Sequence, residues 1–128
     1  MEQKQETILI VDDDKFLVNL YQKKFTADGW ETETALSANE ALQKLRNGFS
    51  PAAILFDIVM PGVDGAAFLA ALKKEKLGEG TALIALTNQS DQATIEKIKG
   101  LGVAGYIVKA SSVPSEVVEL VKGLVEKR

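Results

Sequence analysis

The 128-residue chain contains no cysteine and no histidine. The first absence removes disulfide frameworks, thiol nucleophiles and thiolate metal sites, and the second removes every mechanism that needs an imidazole. A bound metal would have only oxygen ligands, which favours Mg²⁺, Mn²⁺ or Ca²⁺ over zinc or copper and makes Asp and Glu the candidates. No apolar run approaches the ~20 residues needed to cross a bilayer, and Met1-Glu-Gln-Lys-Gln-Glu6 has no apolar signal region after its charges. A soluble cytoplasmic protein without membrane contact is expected. A basic excess is lacking too: 15 Lys and Arg stand against 18 Asp and Glu, a formal charge of −3, so direct nucleic-acid binding is not expected.

The 46% hydrophobic and 26% charged content is that of a globular chain. Its length suits one domain over residues 1–128, with the core expected from about 6 to 127. No linker, low-complexity tract or internal repeat interrupts it. Four short apolar runs, at residues 8–11, 52–56, 82–86 and 106–108, have the length of strands buried on both faces. The Thr-rich residues 30–35 alternate in character, as an edge strand does, and Trp30 reads as packing.

Between the runs lie stripes of helical period: Leu17, Leu20, Tyr21 and Phe25; Ala38, Ala41, Leu42 and Leu45; Phe68, Leu69 and Leu72; Ile95 and Ile98; Val117, Leu120, Val121, Leu124 and Val125. Ser37 and Glu40 form a capping-box pattern, Asp14 and Asp64 are expected to cap helices, and Gly29, Gly48, Gly78 and Gly102 supply stops. Five strands alternating with five helices over short connections predict an α/β, doubly wound parallel sheet.

In such sheets ligands gather at the carboxyl ends of the strands, near the point where strand order reverses. The first run is followed by Asp12-Asp13-Asp14, the third strand ends in Asp57, the fourth in Thr87-Asn88 and the fifth in Lys109. Acids converging there repel by about 4 kcal/mol per pair at ~4 Å and an effective dielectric near 20, a conflict that a divalent cation removes. Mg²⁺ suits the set, since it takes one or two carboxylates, keeps several waters and accepts a phosphate oxygen. An Asp beside that ion is a candidate phosphoryl acceptor, and it needs no general base because a carboxylate is already ionised near neutral pH. Lys109 offers a charge for Asp57 or for phosphate oxygens, and the Thr87 hydroxyl can donate to the same group.

These residues, with Ile54-Leu-Phe-Asp57-Ile-Val-Met60-Pro61-Gly62-Val63-Asp64-Gly65, give the chain a resemblance to the response-regulator receiver domains of two-component signalling over nearly its whole length. The resemblance implies the flavodoxin-like strand order 2-1-3-4-5. It implies that Asp57 takes a phosphoryl group from a sensor histidine kinase or phosphotransfer protein. Mg²⁺, or Mn²⁺ in its place, would lie among Asp12, Asp13, Asp57 and the Val59 backbone carbonyl, and Thr87 and Lys109 would hold the phosphate. Movement of Thr87 would be coupled to rotation of Tyr106, altering the surface of the fourth helix, fifth strand and fifth helix; simple packing is the bland alternative for Tyr106. Such a chain is a switch that catalyses only its own phosphoryl uptake and hydrolysis, not a multi-turnover enzyme. The family's usual output modules have no counterpart in these residues, so the downstream partner is expected to be a separate protein or an absent output domain. A monomer is expected, or a dimer when phosphorylated.

Two positions depart from the family pattern. Ala110 follows Lys109 where Pro is usual, often after a cis peptide, and a cis bond before a non-proline residue costs about 3–4 kcal/mol. Asn88 stands where a small residue is common, which narrows access to the phosphate. Three rival readings stand beside the switch: a receiver-like interaction module acting without phosphorylation, a phosphohydrolase of the haloacid dehalogenase type, and a flavin binder. The dehalogenase signature, Asp-x-Asp after the first strand, is missing here, and no Ser/Thr-rich phosphate loop follows that strand for a flavin.

Overall fold

A strand that is apolar at every position is stable only with cover on both faces, and the chain supplies it. In the computed structural model, which describes residues 6–60, 64–88, 92–109 and 113–127, strands and helices alternate. Their order is β1 (Thr7–Val11), α1 (Lys15–Ala27), β2 (Glu31–Ala35), α2 (Ala38–Arg46), β3 (Ala53–Asp57), α3 (Gly65–Glu75), β4 (Ala82–Thr87), α4 (Gln92–Lys99), β5 (Gly105–Val108) and α5 (Pro114–Glu126). All neighbouring strands pair in parallel in the order β2-β1-β3-β4-β5. The order reverses between β1 and β3, so the crevice expected at a switch point opens where β1 and β3 end.

Successive residues of β1 serve opposite layers. Ile8 and Ile10 join Val18, Tyr21, Phe25, Leu55, Ile84 and Val121 under α1 and α5, while Leu9 and Val11 join Leu42, Phe56, Phe68, Leu72 and Ile98 on the other face. Trp30 packs edge-on against Phe25 with ring centroids 5.4 Å apart. It precedes β2, at the end of the sheet opposite the switch-point crevice.

Helix starts follow the capping rules. Asp14 accepts from the Leu17 N–H at 3.2 Å, Asp64 from the Ala67 N–H at 2.9 Å, and Ser37 from the Glu40 N–H at 3.1 Å. The return bond of the capping box lands one residue early, with the Glu40 carboxylate accepting from the Leu36 N–H. Two stripes differ from the sequence expectation. On α1 the buried residues are Val18, Tyr21 and Phe25, with Leu17 only partly buried. On α5 Val118 is buried and Leu120 is 49% exposed. α5 packs on α1 and β4, so its buried line turns toward the middle of the sheet and Leu120 is left on the outer flank.

Lys76, after α3, is a non-glycine residue in the left-handed region, with φ 57° and ψ 38°. That conformation costs an L-residue about 1–2 kcal/mol, partly offset by the extra unfolded-state freedom of glycine. Lys76→Gly is therefore expected to raise stability by about 0.5–1 kcal/mol, seen as a higher urea midpoint at unchanged m-value.

Candidate functional site

The carboxyl ends of β1 and β3 bring Asp12 and Asp57 together, and β5 delivers Lys109 just beyond its last residue. Asp12 is fully buried and Asp57 is 6% exposed. The Lys109 ammonium lies 2.7 Å from Asp12 Oδ2 and 2.8 Å from Asp57 Oδ2. The remaining oxygens are held by backbone: the Val59 N–H donates to Asp57 Oδ1 at 3.0 Å, and the Asp14 N–H to Asp12 Oδ1 at 3.0 Å. Each buried acid thus has one oxygen fixed by its own loop and one facing the cation.

Burial pushes the Asp57 carboxyl above its ordinary range; the hydrogen bonds from Lys109 and Val59 oppose this, and the nearby charge of Asp12 adds to it. For Lys109, burial acts to lower its pKa, but Asp12 and Asp57 outweigh that and raise it, so the ammonium stays charged. Tyr21, buried on α1, lies within reach of the same field. Its burial raises the phenol, the Lys109 charge opposes that, and the Asp12 charge reinforces it.

Asp13 is exposed and completes the acidic set: one carboxylate oxygen each from Asp12, Asp13 and Asp57 fall within 4.8 Å of one another. Three carboxylate oxygens gathered this closely are the groups that would hold one small divalent cation. Asp12 Oδ2, fully buried, is met by the Lys109 ammonium at 2.7 Å, so this oxygen already sits in a position that draws positive charge. An all-oxygen donor set with two buried acids therefore fits a hard divalent cation.

Thr87 ends β4 and is buried, paired in register with Val108. Tyr106 lies on β5 opposite Ala85, partly buried against the α2–α3–α4 layer. The side chain of Val59 is 71% exposed beside the pocket. Asn88, next to Thr87, is exposed. Ala110 and the Lys109–Ala110 peptide lie outside the described residues, as do Pro61, Gly62 and Val63. The bond between Lys109 and Asp12 is the feature that sequence reasoning missed, since strand order alone pairs Lys109 with Asp57 and phosphate. Among the described residues no helix is long and apolar enough to cross a membrane.

The sequence pattern of the response regulator receiver domain matches residues 8–122. The chain belongs to this family, the receiver domains of two-component response regulators. It is 31% identical over 99% of its length to the probable transcriptional regulator ycf27 of Pyropia yezoensis, covering 50% of that protein. It is also 31% identical, over 94% of its length, to the alkaline phosphatase synthesis transcriptional regulatory protein PhoP of Bacillus subtilis, covering 48% of it. The chain thus spans about half the length of the curated relatives it matches. Among solved structures, a CheY-like response regulator receiver domain protein from Methanospirillum hungatei superimposes with a TM-score of 0.84 at 28% identity, covering 97% of this chain and 96% of that one.

Proposed function

We propose that this receiver domain is a phosphorylation-dependent signalling switch in which Asp57 is the acceptor. The observation that carries the reading is the pairing of a buried Asp57 with Lys109 at 2.8 Å beside two further acids. One Asp57 carboxylate oxygen attacks phosphorus, the bond from phosphorus to the donor nitrogen or oxygen breaks, and the donor leaves with that electron pair. Lys109, already aimed at the carboxylate, then meets the phosphoryl oxygens, and Thr87 donates its hydroxyl to them. Asp12, Asp13, Asp57 and the Val59 carbonyl are the groups that would hold Mg²⁺, or Mn²⁺, which when bound neutralises charge on the transferring phosphoryl group.

The added charge then biases a two-state equilibrium, with Thr87 and Tyr106 as the moving parts and the α4–β5–α5 surface as the output. The donor is a sensor histidine kinase or phosphotransfer protein in the cytoplasm, and the target is a separate protein or an output domain of a longer chain. The domain turns over no substrate beyond its own phosphoryl group. Incubation with Mg²⁺ and acetyl phosphate should add one phosphoryl group by mass to the protein and none to Asp57→Asn. No added mass on the unmodified protein, or mass that survives the substitution, would overturn the reading and leave that of an interaction module.

A further inference from the structure

Gly65 opens α3 with its N–H donating to the Ile58 carbonyl at 2.8 Å. Its φ is not left-handed, so backbone freedom does not explain glycine here. Space does. A Cβ on Gly65 would stand 2.7 Å from the Ile58 Cα, 3.0 Å from the Asp57 carbonyl oxygen and 3.1 Å from the Ile58 Cδ1, where carbon atoms pack at about 3.5–4.0 Å. The first two are backbone atoms and cannot rotate away. Gly105 offers the contrast: its nearest obstacle is the Leu124 Cδ1, the free end of a side chain.

We infer that Gly65 is a positioning residue for the acceptor site: its missing side chain lets α3 close on the segment from Asp57 to Val59 and hold it in register. The inference rests on the reading of Asp57 as acceptor. Of the two bodies in contact, α3 is anchored by Phe68, Leu69 and Leu72 in the core, and the ladder of β3 continues through the Ile58 N–H to the Leu86 carbonyl at 3.0 Å. The push therefore falls on Ile58 and is passed along the backbone to Val59, the next residue, which is exposed and held to Asp57 Oδ1 by its N–H. A displaced Val59 releases that oxygen and shifts the carbonyl beside it.

The test compares Gly65→Ala with Gly48→Ala. Gly48 has φ +103° and open space around it, so its substitution strains the fold without pressing on the pocket. By amide NMR, Gly65→Ala should move the Ile58 and Val59 resonances of the ion-free protein and weaken Mg²⁺ binding about tenfold or more. Phosphorylation by acetyl phosphate should slow by about ten- to a hundredfold. Gly48→Ala should keep Mg²⁺ affinity and phosphorylation rate while losing stability. Unmoved Val59 resonances with unchanged Mg²⁺ affinity would overturn the inference, and so would an equal loss of affinity in Gly48→Ala. If Gly65→Ala melts too early, the comparison is made in the Lys76→Gly background; failure to fold there also overturns it, since strain absorbed at Val59 leaves both core layers intact. An unmodified protein that neither binds Mg²⁺ nor takes a phosphoryl group defeats the reading of the site instead, while the ion-free Val59 resonances still report the contact.

Discussion

Lys109→Ala is expected to lower the stability of the ion-free protein by about 3 kcal/mol at neutral pH, the scale of a buried ion pair that loses one partner. Two acids depend on this ammonium. Asp12 is fully buried and Asp57 nearly so, and Lys109 lies within 2.8 Å of an oxygen of each. Without it, both carboxylates face each other and Asp13 with no compensating charge. Mg²⁺ should return most of the loss, because ligand at a hundred times its Kd contributes about 2.7 kcal/mol. The variant should gain more from the ion than the unmodified protein does, since on the proposed ligand set the ion would compete with Lys109 for oxygens of Asp12 and Asp57. Urea midpoints with and without Mg²⁺ read both effects. A variant as stable as the unmodified protein without ion would mean that the acids need no counter-charge. The phosphorylation rate should still fall by about a hundredfold, since Mg²⁺ does not replace the donor at the phosphoryl oxygens.

Most of this site was legible because residue type and strand position coincide. Asp12 and Asp13 follow β1, Asp57 and Thr87 end β3 and β4, and Lys109 follows β5. In a parallel sheet all of these positions lie at one edge. Continuous apolar runs marked the inner strands β1, β3 and β4, and the alternating Glu31–Ala35 marked an edge. The run at residues 106–108, expected to be buried on both faces, is instead the other edge strand; of the β5 residues only Ile107 is buried, because among the described residues no further strand pairs beyond it. Other features depend on relations that one segment does not contain. Periodicity finds an apolar face on α5 but not how the helix is rotated about its axis; packing against α1 and β4 decided that, burying Val118 and exposing Leu120. The Lys109–Asp12 contact joins residues at opposite ends of the chain whose separation depends on the pitch of three strands. The closeness of Gly65 to Ile58 was hidden similarly, since a glycine in a loop motif reads as a turn until its neighbours are known.

Asp57→Asn is expected to be more stable than the unmodified protein in ion-free buffer at neutral pH, by on the order of 1 kcal/mol, as when a buried ionic group is replaced by a neutral one of the same shape. The sign follows from burial, which lifts the Asp57 pKa despite the hydrogen bonds from Lys109 and Val59. The native state therefore holds this proton at pH values where the unfolded chain, with a carboxyl near 3.9, has lost it. Where the native state binds more protons, stability falls as pH rises. The unmodified protein should lose stability relative to the variant between the ordinary carboxylate pKa and the raised one. Above that window the gap stays constant, and below it the gap closes. Lys109 keeps its pairing with Asp12 in the variant, so the substitution leaves no cation stranded. Urea midpoints across the acid range, without divalent ions, give the profile. A variant less stable than the unmodified protein at neutral pH would show that the pair with Lys109 outweighs the desolvation of Asp57. Mg²⁺ should reverse the order, stabilising the unmodified protein more than the variant, because on the proposed ligand set the ion would bind an oxygen of the very carboxylate that burial penalises. On the reading of Asp57 as acceptor, the desolvation that Lys109 only partly offsets would be relieved further by a divalent cation or by transfer of a phosphoryl group onto the carboxylate.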